Sequence, residues 1–136
     1  MNTSICLRLI GVVVVFLSTT HTSSSQTSSY FDTAPPFRGP QTYKDAESGT
    51  TFYVESDGRH VSAIDKEGKI LWNRNPFVDG KLQPYRFKIP VIVFIGEPSK
   101  WQIEDRKGRY IAISFNSSQF GIIDMANGDF IWMGQD

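Results

Sequence analysis

Carboxylates are the residues of this chain with the clearest potential for acid–base chemistry. Four of them fall near predicted strand ends: Glu55, Asp57, Glu104 and Asp105. Two carboxylates that flank a sugar ring can hydrolyse a glycosidic bond. Nucleophilic catalysis lacks its usual parts, since the sequence holds no Gly-x-Ser-x-Gly elbow and the predicted domain holds one histidine, His60. A carboxylate-dependent hydrolase is therefore one hypothesis, but the incomplete catalytic set favours a domain that is not an enzyme.

Metal ligands are also sparse. His60 lies beside the predicted turn Asp57-Gly58, and one histidine without a second histidine or a thiolate does not make a zinc site. The single cysteine, Cys6, lies in the N-terminal leader, so the rest of the chain forms no internal disulfide. The stretch Asp65–Gly68 lacks the alternating ligands of a calcium loop. We therefore expect neither a metal nor a cofactor.

The charge argues against nucleic acid as a partner. The formal net charge is +0, every acidic residue follows residue 30, and only one basic residue, Arg8, precedes it. A near-neutral domain has no overall field that attracts a polyanion. A basic group surrounds Trp101, but acids interrupt it, which favours an ordinary charged hairpin. Its members are Lys100, Arg106, Lys107 and Arg109.

The chain divides into three segments. Residues 9–17 (LIGVVVVFL) form an apolar run that follows a basic residue and is shorter than the roughly 20 residues that span a bilayer. Such a run is typical of a secretory signal peptide. We predict a signal peptide or uncleaved signal anchor over 1–25, a Ser/Thr/Pro-rich linker over 26–49 and one domain over 50–136. The domain is then secreted or periplasmic. An exported protein can be glycosylated in some hosts, and Asn116-Ser117-Ser118 matches the N-glycosylation triplet.

Short runs of β-branched and aromatic residues begin at residue 50, separated by turn residues. The apolar run Val91–Ile95 predicts a central strand covered on both faces, with Pro90 at its start or at a bulge. No segment shows sustained helical periodicity. The sequence therefore predicts an all-β domain of seven or eight antiparallel strands in a meander, folded into a sandwich or partial barrel. The predicted strands are Thr51–Glu55, Val61–Asp65, Lys69–Asn73, Phe87–Ile95, Trp101–Glu104, Tyr110–Phe115, Phe120–Asp124 and Asp129–Met133.

Two of the predicted hairpins repeat one pattern. Each copy has Ile-Asp, a turn that ends in Gly, three further residues and a Trp. The Asp is suited to accept backbone N–H groups of the turn, and the Gly is suited to adopt a positive φ. The Trp then falls on the buried face of the next strand. In the first copy, Ile70 is predicted to share that face with Trp72. We predict that both indoles are core anchors. The anchors are Asp65, Gly68 and Trp72 in the first copy and Asp124, Gly128 and Trp132 in the second.

This repeat resembles the blade repeat of quinoprotein-type (pyrroloquinoline-quinone-like) β-propellers, which ends in Ala-x-Asp-x-x-(Thr)-Gly-x-x-x-Trp. The resemblance covers roughly residues 51–73 and 109–133. It implies two blade-like meanders, and since a closed propeller needs about four blades or more, it does not imply a quinone site here. The end of the chain, 110–136, is similar to that of small uncharacterised exported bacterial proteins, which implies no activity.

Two binding functions are compatible with this domain. The first is a protein-binding or structural domain of the cell envelope, since exposed sheet edges are suited to strand addition or to a homo-oligomer. The second is a carbohydrate- or cell-wall-binding module. Aromatic residues in loop-like segments could stack on sugar rings, namely Phe77, Tyr85 and Trp101.

Overall fold

A computed structural model describes residues 41–136. The predicted leader and most of the predicted linker lie outside the described residues. The domain consists of two antiparallel four-stranded sheets, each a simple meander in chain order. The first sheet contains β1 (Thr42–Lys44), β2 (Thr51–Val54), β3 (Val61–Ile64) and β4 (Ile70–Arg74). The second contains β5 (Ile92–Gly96), β6 (Tyr110–Phe115), β7 (Gln119–Asp124) and β8 (Phe130–Gln135). The prediction of an all-β antiparallel meander of seven or eight strands with little helix is confirmed.

The core lies between the two sheets and takes large apolar side chains from both. Phe52 lies near its centre, with its ring centroid 5.6 Å from that of Trp72 and 6.5 Å from that of Tyr43. The second sheet contributes mainly isoleucines and Phe115. The buried members are Phe52, Val54, Val61, Ala63, Trp72, Ile92, Ile95, Ile111, Ile113, Phe115 and Ile123.

Two short helices lie in the connections, one between the two sheets and one between β5 and β6. Helix α1 (Pro76–Asp79) begins after Asn75, whose Oδ1 accepts the Val78 N–H at 3.3 Å. Helix α2 (Lys100–Ile103) replaces the strand that was predicted over Trp101–Glu104, so that prediction is wrong. The physical reason is a local cap, because the Ser99 N–H donates to Gln102 Oε1 at 2.8 Å and closes a helical turn. Within residues 41–136, no helix has the length and apolar character needed to cross a bilayer.

Strand β5 differs from the predicted central strand. It begins at Ile92, lies at the edge of its sheet and leaves Val93 and Phe94 half-exposed, so the prediction of a strand covered on both faces is wrong. Pairing changes register between Ile92 and Phe94, which leaves Val93 as the extra residue of a bulge. Before the strand starts, the Val91 N–H donates to the side chain of Asn116 at 3.0 Å. An apolar run thus becomes an edge strand because Pro90 and the bulge interrupt its ladder.

The free side of β5 is nevertheless occupied by the first sheet. The Ile92 N–H donates to the Gly58 carbonyl at 2.7 Å, and the Ile92 carbonyl accepts from Gln41 Nε2 at 3.5 Å. Strand β1 also packs here, and it lies within the segment predicted as linker. The domain therefore starts earlier than residue 50, since Thr42–Lys44 pair with β2.

Candidate functional site

The two Asp-Gly turns have the geometry that the repeat predicts. In the first, Asp65 Oδ1 accepts the Lys69 N–H at 2.8 Å and the Glu67 N–H at 3.0 Å, and Gly68 has a φ of +85°. In the second, Asp124 Oδ1 accepts one backbone N–H at 2.8 Å, and Gly128 has a φ of +79°. These residues fix the turns before β4 and β8 and so determine where each Trp is placed.

The two indoles are nevertheless in different environments. Trp72 is 8% exposed and its Nε1–H donates to the Met125 carbonyl at 3.0 Å, which ties the first sheet to the turn of the second. Trp132 is 52% exposed. The prediction that Trp132 is a core anchor is therefore wrong.

The two strands differ by a bulge close to the turn. In the first hairpin Ile64 pairs with Ile70 and Ala63 with Trp72, so Leu71 is an extra residue. Trp72 therefore points into the core, whereas Ile70 points to solvent. The prediction that these two residues share a face is wrong.

The second hairpin is regular at the same place. Ile123 pairs with Phe130 and Gly121 with Trp132, without an extra residue between them. Phe130 and Trp132 therefore share one face. Phe130 packs against the core, with its ring 6.3 Å from that of Phe115, and Trp132 lies two residues farther along the strand.

A cavity of about 270 Å³ lies beside the exposed indole. Its walls are Trp132 on β8 and Leu82 in the segment after α1. Its floor holds the amide of Gln119, which is 3% exposed. Gln119 Nε2 donates to the Gln83 carbonyl at 3.0 Å, and Gln119 Oε1 accepts from the Ser117 hydroxyl at 2.9 Å. The cavity is thus largely apolar, with a buried amide that is held in place from both ends.

The edge of β8 beside this cavity is open. Within residues 41–136, β8 pairs only with β7. Its six residues, FIWMGQ, include no charge and no proline. Charged residues, prolines and short length are the usual devices that keep an edge from pairing with another chain. Strand β8 has none of these three, but it contains a bulge, because its pairing with β7 shifts between Phe120 and Gly121 and leaves Met133 as an extra residue.

The three other edge strands are shielded. Strand β1 has three residues and ends in Lys44. Strand β4 carries Arg74, whose Nε donates to the Asn127 carbonyl at 3.2 Å, so the turn of the second sheet approaches it. Strand β5 is bonded to the first sheet through Ile92. Strand β8 is therefore the edge for which the described residues show no protecting feature other than its bulge.

The aromatic residues predicted to contact sugars lie in three different places. Phe77 is partly buried and packs against the core, with its ring 6.0 Å from that of Phe115. The guanidinium carbon of Arg86 lies over the ring of Tyr85, 5.3 Å from the ring centroid. Trp101 is 58% exposed. The structure does not bring these three residues together.

Trp101 has different aromatic neighbours, which the sequence did not reveal. Its ring lies 6.2 Å from that of Phe120, edge to face. Phe120 and Phe94 are both opposite Ser114, on the two strands that flank it. Since cross-strand partners share a face, Phe94, Ser114 and Phe120 form one row across the outer face of the second sheet. This aromatic row (Phe94, Ser114, Phe120 and Trp101) surrounds a single hydroxyl.

The candidate catalytic carboxylates serve structural roles or lie apart. Glu55 Oε1 accepts from Ser62, whose side chain is fully buried. Asp57 caps its turn and contacts His60 Nδ1 at 2.6 Å. Burial disfavours ionisation of Asp57, but hydrogen bonds from the Arg59 N–H and from His60 outweigh it and lower its pKa. Glu104 and Asp105 follow α2, away from this turn in the chain. Among residues 41–136, no group of three or more His, Cys, Asp or Glu is arranged to hold a metal ion.

Arg109 is the basic residue with the most defined role. Its guanidinium pairs with the buried carboxylate of Asp45 and lies 3.4 Å from Glu47. The Ser48 hydroxyl, the Ser48 N–H and Arg109 together outweigh burial and lower the pKa of Asp45 to about 2. This cluster joins the β1–β2 turn to the start of β6. The sequence missed it because Asp45 was assigned to the linker.

Two other members of the predicted basic group make contacts within their own connection. Arg106 Nε donates to the Gln102 carbonyl at 3.2 Å, and the Lys107 carbonyl accepts from the Tyr110 hydroxyl at 3.0 Å. Lys100 is the first residue of α2. A charged connection between β5 and β6 is the better description.

The glycosylation triplet has a buried acceptor nitrogen. Asn116 Nδ2 is inaccessible to solvent, and Asn116 Oδ1 holds the Val91 N–H at 3.0 Å. In the folded domain, Asn116 therefore anchors the chain just before β5 through its Oδ1.

Comparisons with protein-family models, with curated proteins and with solved structures find no match to this chain.

Proposed function

We propose that this domain is a non-catalytic, protein-binding module that accepts a β-strand of a partner protein at the open edge of β8. The observation that carries the proposal is the half-exposed Trp132 on a long, uncharged edge strand next to a cavity. Main-chain hydrogen bonds give affinity in such strand addition, and pockets for alternate side chains give specificity.

The location of the domain belongs to the same proposal. The apolar leader over residues 9–17 supports export, and a partner would then be an envelope or extracellular protein. An exported domain that lacks a complete catalytic set and keeps one uncharged sheet edge is suited to assembly with another polypeptide.

Charge placed on the edge tests this function. We compare the full-length protein with Trp132→Lys, which adds an edge-protecting charge, and with Trp101→Lys, which changes an equally exposed indole on another face. Each protein is crosslinked in its native host and its neighbours are identified. The proposal predicts a partner that the wild type and Trp101→Lys capture and that Trp132→Lys loses, although all three have similar melting temperatures.

Two results would contradict it. One is a partner that crosslinks equally to Trp132→Lys, because the edge would then not be the binding surface. The other is the absence of any specific neighbour of the wild type.

A carbohydrate-binding function is the second candidate, and the aromatic row favours it. Phe94, Phe120 and Trp101 provide rings, and Ser114 between them provides a hydroxyl, which is the combination that contacts the apolar face and the hydroxyls of a sugar. Binding to a glycan array that Trp101→Ala removes and Trp132→Ala keeps would support this function. Equal binding by both variants, or no binding by the wild type, would exclude the row as a sugar site.

A further inference from the structure

The cavity beside Trp132 is a preformed feature of the fold. Asn75 caps α1, and the Leu82 N–H donates to the Phe77 carbonyl at 3.0 Å. Phe77 itself packs against the core, so the segment after α1 is anchored there. Gly80 allows this close approach, since a Cβ at this position would lie 2.6 Å from the ring of Phe130. The wall formed by Leu82 is therefore fixed before any ligand arrives.

The cavity is lined on one side by Trp132 and Gln135 of β8. Gln119 pairs with Gln135 and Gly121 with Trp132, so Gln135 and Trp132 lie on the same face as the buried amide of Gln119. Met133 is the extra residue of a bulge between them. On either side of this bulge, a strand added beside β8 places alternate side chains on that face. One of those side chains would stand next to the cavity of about 270 Å³.

The floor of the cavity has unused hydrogen-bonding capacity. A glutamine amide carries two N–H donors and two acceptor lone pairs. Within residues 41–136, Gln119 Nε2 has one acceptor, the Gln83 carbonyl, and its Oε1 has one donor, the Ser117 hydroxyl. One donor and one acceptor position therefore remain for a ligand at the end of an apolar pocket. A tyrosine combines a large apolar ring with a hydroxyl that both donates and accepts.

The rim adds a charge preference. Lys81 lines the opening and is exposed, whereas β8 itself is uncharged. A carboxylate next to the inserted side chain complements this ammonium group.

Resting on the proposed strand addition, we propose that this cavity is the specificity pocket of the site. It selects an extended segment of the partner in which a tyrosine, followed or preceded by an acidic residue, enters between Trp132 and Leu82 onto the amide of Gln119.

Capped eight-residue peptides of alternating Thr and Val test the pocket, with one inward position occupied by Tyr, Phe or Ala and with Glu beside it. Binding to the full-length protein is measured by fluorescence anisotropy. The Tyr peptide is expected to bind about fivefold more tightly than the Phe peptide, the ratio that corresponds to one typical hydrogen bond. The Ala peptide is expected to bind more weakly than both.

Two variants assign the effect to the pocket. Gln119→Leu is expected to abolish the difference between Tyr and Phe. Gln135→Phe, on an exposed β8 position that lines the cavity, fills it from outside and is expected to reduce both aromatic peptides to the level of the Ala peptide. The second variant decides the matter if the first does not fold.

The outcomes separate the two proposals. If all three peptides bind equally to the wild type, strand addition stands and the specificity pocket is wrong. If none binds, acceptance of a strand at β8 is itself contradicted. If the preference for Tyr persists in both variants, the pocket is elsewhere.

Discussion

The two hairpins of this domain share a turn and differ in the strand after that turn. Asp65-Gly68 and Asp124-Gly128 fix similar turns, yet Trp72 lies in the core and Trp132 lies at the open edge of β8. A bulge residue, Leu71, is present in one hairpin at the place where the other is regular. The comparison shows that a shared turn does not determine the environment of the tryptophan that follows it, since both indoles lie opposite buried residues, Ala63 and Gly121.

The two hairpins also differ in the residue that fills the core position after the turn. In the second hairpin Phe130 fills the core position, lies under Gly80 and against Gly121, and faces Phe115. Since that space is occupied, Trp132 does not contribute to the contact between the sheets. A residue that the core does not need can be retained for binding, which is the basis of the proposed function.

The largest expected effect is on the core indole. Trp72→Ala should lower the free energy of unfolding by about 3–5 kcal/mol, because it removes a buried ring and its hydrogen bond to Met125. Trp132→Ala should lower it by less than about 1 kcal/mol, because half of that side chain is already in water. Urea denaturation of both variants measures the two values, and equal losses would show that both indoles are core anchors after all.

The glycines of the two turns provide the next comparison. Both have positive φ, so alanine at either position costs about 1–2 kcal/mol. A Cβ at Gly128 would also lie 2.8 Å from the ring of Trp72, whereas a Cβ at Gly68 meets nothing within 4 Å. Gly128→Ala should therefore be the more destabilising variant, by about 1–3 kcal/mol of added overlap. Thermal unfolding of the pair measures the difference, and the reverse order would mean that the turn of the second sheet does not rest on Trp72.

A smaller and pH-dependent effect is expected at the contact between the β1–β2 turn and β6. The pKa of Asp45 is lowered from 3.8 to about 2, so the folded state binds the proton more weakly than the unfolded state does. This contribution to stability is complete above about pH 4 and is lost as the pH falls through about 2. Asp45→Asn should be less stable at pH 7, and its stability should change less between pH 4 and pH 2 than that of the wild type. Parallel loss in both proteins over that range would contradict the assignment.

The smallest effects are expected at the capping aspartates. Asp65 accepts two backbone N–H groups and Asp124 accepts one. Replacing such a turn-fixing acceptor by alanine costs about 0.5–2 kcal/mol, and we expect Asp65→Ala to lie at the upper end and Asp124→Ala at the lower end. Equal chemical denaturation midpoints for the two variants would indicate that the second bond of Asp65 is not formed in solution.

Local patterns predicted a large part of this fold. Seven of the eight strands overlap a strand predicted from the sequence, because apolar runs and the Gly or Asp residues of the turns between them mark these strands locally. Strand β1 was missed because three residues inside a polar segment have no such signal. Helix α2 was predicted as a strand because Trp101 and Ile103 are apolar residues of the kind found in strands. The hydrogen bond between Ser99 and Gln102, which stabilises a helical turn, outweighs that preference.

The candidate site was less predictable. A bulge at Leu71 depends on how the whole strand pairs with its neighbour, and no residue of the repeat marks it. The cavity brings together Leu82, Gln119 and Trp132 from three separate parts of the chain. The turns could be predicted from spacing, but the fate of each tryptophan depends on tertiary packing.

Acrylamide quenching of single-tryptophan variants tests the contrast between the hairpins most directly. In Trp101→Phe/Trp132→Phe the remaining Trp72 should emit at short wavelength and be protected from quenching. In Trp72→Phe/Trp101→Phe the remaining Trp132 should emit at long wavelength and be strongly quenched, provided that circular dichroism shows the same β-sheet content. Equal quenching of the two indoles in folded variants would contradict the contrast between a core Trp72 and a surface Trp132.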